Sequence, residues 1–63
     1  MFDKYKDLES YSDVLTLKEV AQYLNISKDT VRKLCLTNQL KHLRVGRLYK
    51  ITKENLVNFI ENN

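Results

Sequence analysis

Two short segments with apolar residues at helical spacing, joined by a turn of three residues, constrain the fold of this chain most strongly. The first pattern consists of Leu17, Val20, Ala21 and Leu24. Thr16 and Glu19 form a capping box at its start, because each side chain can accept a hydrogen bond from a free backbone N–H of the other residue. The sequence therefore predicts a helix over about residues 17–24.

A second helix is predicted directly after the first. Asn25 tolerates the left-handed conformation that ends a helix, and Ser27 is a favoured N-cap. The apolar face that follows consists of Val31, Leu34 and Cys35. Asn38 again suits a left-handed ending, so we expect this helix over residues 27–37.

Residues 42–51 have the pattern of a short two-stranded antiparallel hairpin. Its alternating apolar residues are Leu43, Val45, Tyr49 and Ile51. Gly46 separates the two runs where a tight turn needs a positive φ, which places Gly46 and Arg47 at the tip. Since a lone hairpin is marginal in water, we expect all four apolar side chains to pack on the helices.

The two ends of the chain complete the predicted organisation. Thr52 is expected to cap a final helix with the apolar stripe Leu56, Phe59 and Ile60. Residues 1–14 show no firm periodicity and are expected to form an arm or a short helix, in which Phe2, Tyr5 and Leu8 would make one stripe. One domain is expected over residues 15–63.

Length and composition exclude several classes of protein. A chain of 63 residues allows one small domain, which rarely encloses the concave pocket that catalysis needs, so we do not expect an enzyme. With Cys35 as the single Cys and His42 as the single His, neither a disulfide nor a metal site is expected, and nothing implies a cofactor. The sequence shows no signal segment and no apolar run that could span a bilayer. We therefore expect a cytoplasmic binding module with no membrane partner.

The positive charge is concentrated in the middle of the chain. Residues 28–50 carry seven basic side chains against Asp29 alone: Lys28, Arg32, Lys33, Lys41, Arg44, Arg47 and Lys50. Residues 1–14 are net acidic, which hides this block in a total charge of only +3. Such a block is typical of a phosphate-binding surface, although a solvated basic face has the same composition.

The spacing from Leu17 to Leu36 matches the helix-turn-helix pattern, in which a small core leaves the second helix protruding. Its expected core residues are Val20, Leu24, Ile26, Val31 and Leu34. The alternative is a helical hairpin in which the spacing of the apolar residues reflects core packing alone. The polar outward face of the second helix, together with Arg47 at the hairpin tip, favours nucleic-acid binding.

The stretches LTLKEVAQYLNISKDTVRKL and NQLKHLRVGRLYKIT resemble the excisionase-type, MerR-like winged helix-turn-helix domain. The resemblance covers residues 15–61, with a departure at Leu48, where a basic residue is common in that family. It implies a small α+β fold of two helices, a two-stranded wing and a C-terminal helix. It also implies that the second helix (27–37) enters the major groove of double-stranded DNA and that the wing (42–51) lies on the backbone or in the minor groove.

Carried over by position, the resemblance implies a set of DNA-binding residues: Ser27, Lys28, Thr30, Arg32, Lys33, Arg44, Arg47 and Lys50. Gly46 permits the wing turn. Arg32 is the best candidate for reading a base, since a guanidinium can pair bidentately with guanine. The other long cations are better suited to phosphates.

Three hypotheses about function follow. The first is an excisionase, the directionality factor of site-specific recombination in a phage or bacterial mobile element. Such proteins bend DNA, and the implied partners are a site-specific integrase and further copies of the same chain bound cooperatively. The second is a small transcriptional regulator, and the third is a protein-interaction module.

Overall fold

The computed structural model describes residues 3–62, so that Met1, Phe2 and Asn63 lie outside the described residues, including the Phe2 of the predicted N-terminal stripe. The chain begins with a 3-10 helix over Asp3–Ser10. The remaining elements, in chain order, are β1 (Val14–Thr16), α1 (Leu17–Leu24), α2 (Lys28–Leu36), β2 (Leu43–Val45), β3 (Leu48–Thr52) and α3 (Lys53–Glu61). Together they form the small α+β fold that the sequence predicts.

The start and the end of α1 follow the predicted local chemistry. The Thr16 hydroxyl accepts from the Glu19 N–H at 3.1 Å, while the Glu19 carboxylate accepts from the Thr16 N–H at 3.0 Å. Asn25 ends the helix with a φ of 59°. The Ile26 N–H then donates to the Ala21 carbonyl at 3.0 Å, which turns the chain sharply into α2.

Helix α2 begins with a single N-cap hydrogen bond. The Ser27 hydroxyl accepts from the Thr30 N–H at 3.2 Å. After the last helical residue, Asn38 takes a left-handed φ of 60° and the Leu40 N–H donates to the Leu34 carbonyl at 3.1 Å. This turn buries Leu40 completely. The periodicity of the sequence did not predict Leu40 as a core residue, because it lies outside any helix or strand.

The predicted two-stranded hairpin is part of a three-stranded antiparallel sheet with the order β1-β3-β2. Strand β1 pairs with β3 through Val14–Thr52, Leu15–Ile51 and Thr16–Lys50. The predicted hairpin is confirmed as β2 and β3, whereas β1, a strand of three residues, was not predicted, because it is defined by its pairing with a segment distant in the chain. The pairing buries Leu15 beneath the sheet.

The prediction that Leu43 and Val45 pack on the helices is also wrong. In the antiparallel pairing of β2 with β3, Arg44 lies opposite Tyr49, so Arg44 shares the inner face of the sheet with Tyr49 and Ile51. Leu43 and Val45 therefore project from the outer face, where both are exposed. Alternation identifies a strand but does not determine which of its faces is buried.

The core combines side chains from the N-terminal 3-10 helix, β1, β3 and the three α-helices, together with Leu40. Its largest fully buried members are Leu8, Leu15, Leu40, Ile51, Leu56, Val20, Val31 and Cys35. Of the predicted helix-turn-helix core, Val20 and Val31 are buried and Leu24 and Leu34 are half-buried, whereas Ile26 in the turn keeps 37% of its surface exposed. In α3, Leu56 is buried and Phe59 and Ile60 pack against the core.

The N-terminal segment packs against the rest of the fold. Leu8 of the 3-10 helix is only 1% exposed and belongs to the common core. The Tyr11 and Tyr23 rings meet edge to face with centroids 6.0 Å apart. Near the end of the segment, the Asp13 carbonyl accepts from the N–H of Lys53, the first residue of α3, at 3.0 Å. The residues before β1 therefore contact both the first and the last helix.

No helix within residues 3–62 is both long enough and apolar enough to cross a membrane.

Candidate nucleic-acid interface

A shallow groove of about 260 Å³ lies between the starts of α1 and α2 and the wing, the hairpin formed by residues 43–52. Five cationic side chains line it: Lys18, Lys28, Arg32, Arg47 and Lys50. Among the residues that the structure describes, no acidic side chain lines this groove. Five positive charges around one depression produce a positive potential that attracts an anionic partner.

The groove brings together four of the residues predicted from the sequence. Lys28 and Arg32 lie one turn apart on α2, Arg47 comes from the wing tip, and Lys50 comes from β3. Residues i and i+4 of a helix share one face, which explains why the two α2 residues reach the same depression. Second helix and wing thus contribute to one continuous basic surface.

Lys18 is a groove residue that the sequence reasoning missed. In a sum of charges along the chain, Lys18 is cancelled by Glu19. In the fold, the Glu19 carboxylate is bonded to the Thr16 N–H at 3.0 Å, whereas Lys18 is exposed and lines the groove. The capping box could have identified Lys18 from the sequence. A Glu19 carboxylate that accepts from a backbone N–H of the helix start does not neutralise the neighbouring lysine.

The N-terminus of α2 is exposed beside the groove. Ser27 and Thr30 are both exposed, and their hydroxyl oxygens are 2.8 Å apart. Ser27 also caps the helix through the Thr30 N–H, so its side chain has a structural task in addition to its predicted one. These two hydroxyls lie on the face of α2 that the turn leaves uncovered.

Arg32 has one acidic neighbour on its own helix. Its Nη1 atom is 3.8 Å from Asp29 Oδ1, and the two side chains are 50% and 83% exposed. An exposed pair of this kind contributes about 0–1 kcal/mol. The guanidinium of Arg32 is therefore weakly held and can exchange this partner for a base edge at small cost.

Besides Ser27 and Thr30, two more of the predicted contact residues do not line the groove. Lys33 is exposed on the last turn of α2. Arg44 projects from the inner face of the wing, where its guanidinium carbon is 4.7 Å from the centroid of the Tyr49 ring, a cation–π contact. The structure thus places Arg44 on the other side of the wing from Lys50.

Tyr49 anchors the wing to the body of the protein. It is 9% exposed, in agreement with the core role expected from its place in the strand, and the His42 ring lies 5.4 Å from it. The carbonyl of Leu40 is 3.0 Å from His42 Nδ1. These contacts leave His42 half-buried.

Gly46 forms the wing turn as the sequence predicts. Its φ of 60° lies in the left-handed region that side chains with a Cβ adopt only with strain. A Cβ atom at this position would meet no atom within 4 Å. The requirement for glycine at this position is therefore conformational and not steric.

Cys35 is a buried core residue and does not line the basic groove. It is 1% exposed, and burial raises the pKa of its thiol above the ordinary value. A thiol that stays protonated is a poor nucleophile and a poor metal ligand. Cys35 therefore acts as a small apolar core residue.

Comparison with known protein families adds independent information. The sequence profile described as a helix-turn-helix domain matches residues 14–63. No curated protein gives a significant match to the chain. The matched range begins at the first residue of β1 and includes all the cations of the groove.

Proposed function

The chain belongs to the family of helix-turn-helix domains, and from this premise we propose that it is a sequence-specific, double-stranded DNA-binding protein without catalytic activity. The observation that carries the proposal is the groove, where α1, α2 and the wing together present five cations and no acidic side chain. In the proposed complex the exposed start of α2 enters the major groove and the wing lies against the adjacent backbone or minor groove.

The contacts divide by chemistry. Arg32 is proposed to read a base, because it is exposed on α2 and paired only weakly with Asp29. Lys28, Arg47 and Lys50 are proposed to neutralise phosphates, which supplies affinity but little sequence information. Ser27 and Thr30, whose exposed hydroxyls are 2.8 Å apart, are proposed to form hydrogen bonds with the DNA backbone beside the α2 start.

Within this function, we propose the role of an excisionase acting in the cytoplasm with a site-specific integrase. The support is that the matched family covers excisionase-like DNA-binding domains. An excisionase acts by reshaping DNA, which costs energy that several cooperatively bound copies share. The alternative role is that of a small transcriptional regulator with the same interface.

The DNA-binding proposal is tested by the salt dependence of affinity. A duplex selected from a random library by the wild-type chain serves as the probe. We expect the K28A/R47A variant to reduce the slope of log affinity against log salt by about two, since each lost phosphate contact removes about 0.9 from the slope. The matched control is K6A/K41A, which removes the same charge from exposed lysines outside the groove and should keep the slope.

The results of these measurements distinguish DNA binding from the other proposed functions. Failure to select any duplex, or an affinity insensitive to salt, would contradict DNA binding and favour the protein-interaction module. An equal change in both double variants would show that net charge, not the groove, drives binding. Circularly permuted probes then distinguish the roles, because an excisionase should bend its site and bind neighbouring copies cooperatively.

A further inference from the structure

A second depression, of about 720 Å³ and open to solvent, lies between the N-terminal segment and α1. Its lining combines two aromatic rings with polar side chains: Lys6, Asp7, Ser10, Tyr11, Gln22 and Tyr23. None of these residues lines the basic groove. The domain profile begins at residue 14, so one side of the depression is built from residues before the family domain. Any role of this depression therefore goes beyond what the shared domain provides.

The two aromatic rings form a right-angled corner in this depression. Tyr11 and Tyr23 meet edge to face, and their planes lie at 88° to each other. Two rings have four faces, and an edge-to-face contact uses only one of them. Both side chains are half-buried, so part of each remains in contact with solvent. We call this pair of rings the aromatic corner.

A carboxylate lies beside the aromatic corner. Asp7 is exposed and lines the same depression. Burial raises the pKa of the Tyr23 hydroxyl above its ordinary value, and the negative charge of Asp7 raises it further. Among the described residues, no cation forms an ion pair with Asp7. Its charge is therefore available to a partner.

Lys6 is the only cation among the described residues that line this depression. Its side chain is exposed, and within the described chain no cation–π contact joins it to the aromatic corner. Residues 5–13 carry this one cation against three carboxylates, a net charge of −2: Asp7, Glu9 and Asp13. Since the whole chain carries +3, the N-terminal segment attracts positively charged groups and the remainder repels them.

An arginine side chain fits this combination of groups. A guanidinium is planar, stacks on aromatic rings and pairs with carboxylates. The face of a Tyr ring attracts a cation that lies within about 6 Å of its centroid. A neutral side chain would gain nothing from the charge of Asp7, and an anionic side chain would be repelled by it. The chemistry of the depression therefore favours a cationic, planar group.

We propose that the aromatic corner of Tyr11 and Tyr23, together with Asp7, docks an arginine side chain of another protein. The guanidinium stacks on the ring surface, and the Asp7 carboxylate accepts hydrogen bonds from its N–H groups. A second copy of the chain presents no suitable arginine, because its three arginines line the basic groove or stack on Tyr49. The docking is independent of DNA binding, since the two depressions share no lining residue.

The first experiment uses the wild-type chain and a pair of peptides. The probe is the pentapeptide Gly-Arg-Gly-Arg-Gly with both ends blocked, titrated into the protein and followed by NMR. We expect saturable shifts of the Tyr11 and Tyr23 ring signals and of the Asp7 amide signal. The matched peptide carries citrulline, a neutral group of nearly the same shape, in place of both arginines. It should bind about fivefold more weakly, because it lacks the charge that the rings and the carboxylate attract.

Two pairs of variants then assign the contacts. Tyr11→Leu should weaken arginine-peptide binding by about threefold, whereas Tyr11→Phe keeps an aromatic face and should bind like the wild type. Asp7→Asn should weaken binding by about threefold through the lost ion pair. Its matched control is Asp13→Asn, which removes the same charge from the same segment but lines a different depression, and should keep the wild-type affinity.

Several results would overturn the proposal. Equal binding of the arginine and citrulline peptides would show that the charge is not recognised, and this comparison does not depend on how a variant folds. Equal losses in Asp7→Asn and Asp13→Asn would show that the net charge of the segment, not the corner, attracts the peptide. Self-association that Tyr11→Leu abolishes in analytical ultracentrifugation would assign the corner to a second copy.

DNA binding separates this inference from the proposed function. Tyr11→Leu should bind the selected duplex like the wild type, because Tyr11 does not line the basic groove. A loss of DNA affinity in this variant, with the fold intact by circular dichroism, would assign the corner to DNA and overturn the docking of a protein. A wild-type chain that recognises the arginine peptide but no duplex would support the corner and contradict the proposed function.

Discussion

At the scale of single residues, position in the fold separates cations that look equivalent in the sequence. Lys18 and Lys50 line the basic groove, while Arg44 stacks on Tyr49 from the opposite face of the wing. The sequence predicts that Lys18 lies near a helix start and that Arg44 and Lys50 lie in a hairpin. It does not predict Arg44 on the inner face, because that depends on the register of β2 with β3.

Arg32 provides the test of base reading. We expect Arg32→Ala to cost about 1–3 kcal/mol of binding free energy on the selected duplex and less on random DNA, since a lost bidentate base contact removes discrimination. Competition binding with both duplexes measures the difference. An equal loss on the two duplexes would assign Arg32 to the phosphates instead.

Lys18 provides the test of the contribution from α1. We expect Lys18→Ala to weaken binding similarly on selected and random DNA and to reduce the salt slope by about one, as the loss of one phosphate contact requires. Lys6→Ala is the matched control, because Lys6 is exposed but lines a different depression, beside Tyr11. If the salt slope of Lys18→Ala equals that of the wild type, Lys18 makes no phosphate contact and the interface consists of α2 and the wing alone.

At the scale of the elements, local chemistry predicts most of the structure. The bounds of α1, the left-handed Asn25 and the glycine turn of the wing all follow from a few neighbouring residues. Strand β1 and the burial of Leu40 do not, because both depend on contacts between segments distant in the chain. Predictability therefore ends where burial or pairing is determined by segments distant in the chain and not by neighbouring residues.

The capping box of α1 can be tested by stability. We expect Thr16→Ala to lower the free energy of unfolding by about 1 kcal/mol, because the Glu19 N–H loses its acceptor. Urea denaturation followed by circular dichroism measures this change. Thr37→Ala is the control: its exposed hydroxyl donates to the Lys33 carbonyl after α2, and its loss should stay within about 0.5 kcal/mol. Equal effects of the two substitutions would show that the cap adds nothing specific.

At the scale of the whole molecule, the N-terminal segment shares one core with the family domain. The domain profile begins at residue 14, yet Leu8 before it is among the most deeply buried side chains. A chain of 63 residues has few core side chains, so each of them carries a large share of a stability of roughly 3–5 kcal/mol. The segment before β1 is therefore expected to be needed for folding.

Leu8→Ala tests this dependence. We expect a loss of about 2–5 kcal/mol in the free energy of unfolding, enough to leave much of the protein unfolded at room temperature. Thermal and urea unfolding measure it, with Leu36→Ala as the control because Leu36 is 60% exposed. A loss no larger than that of the control would mean that the domain over residues 15–63 folds without the 3-10 helix.

Strand β3 lies between β1 and β2, and pairs with β1 through residues 50–52 and with β2 through residues 48–50. Because β3 also leads directly into α3, the base of the wing is fixed to the body of the protein before any ligand arrives. Binding then requires little loss of protein conformational entropy, as expected of a preorganised surface. When such a rigid surface meets a flexible duplex, the adaptation that brings helix and wing into register falls mainly on the DNA.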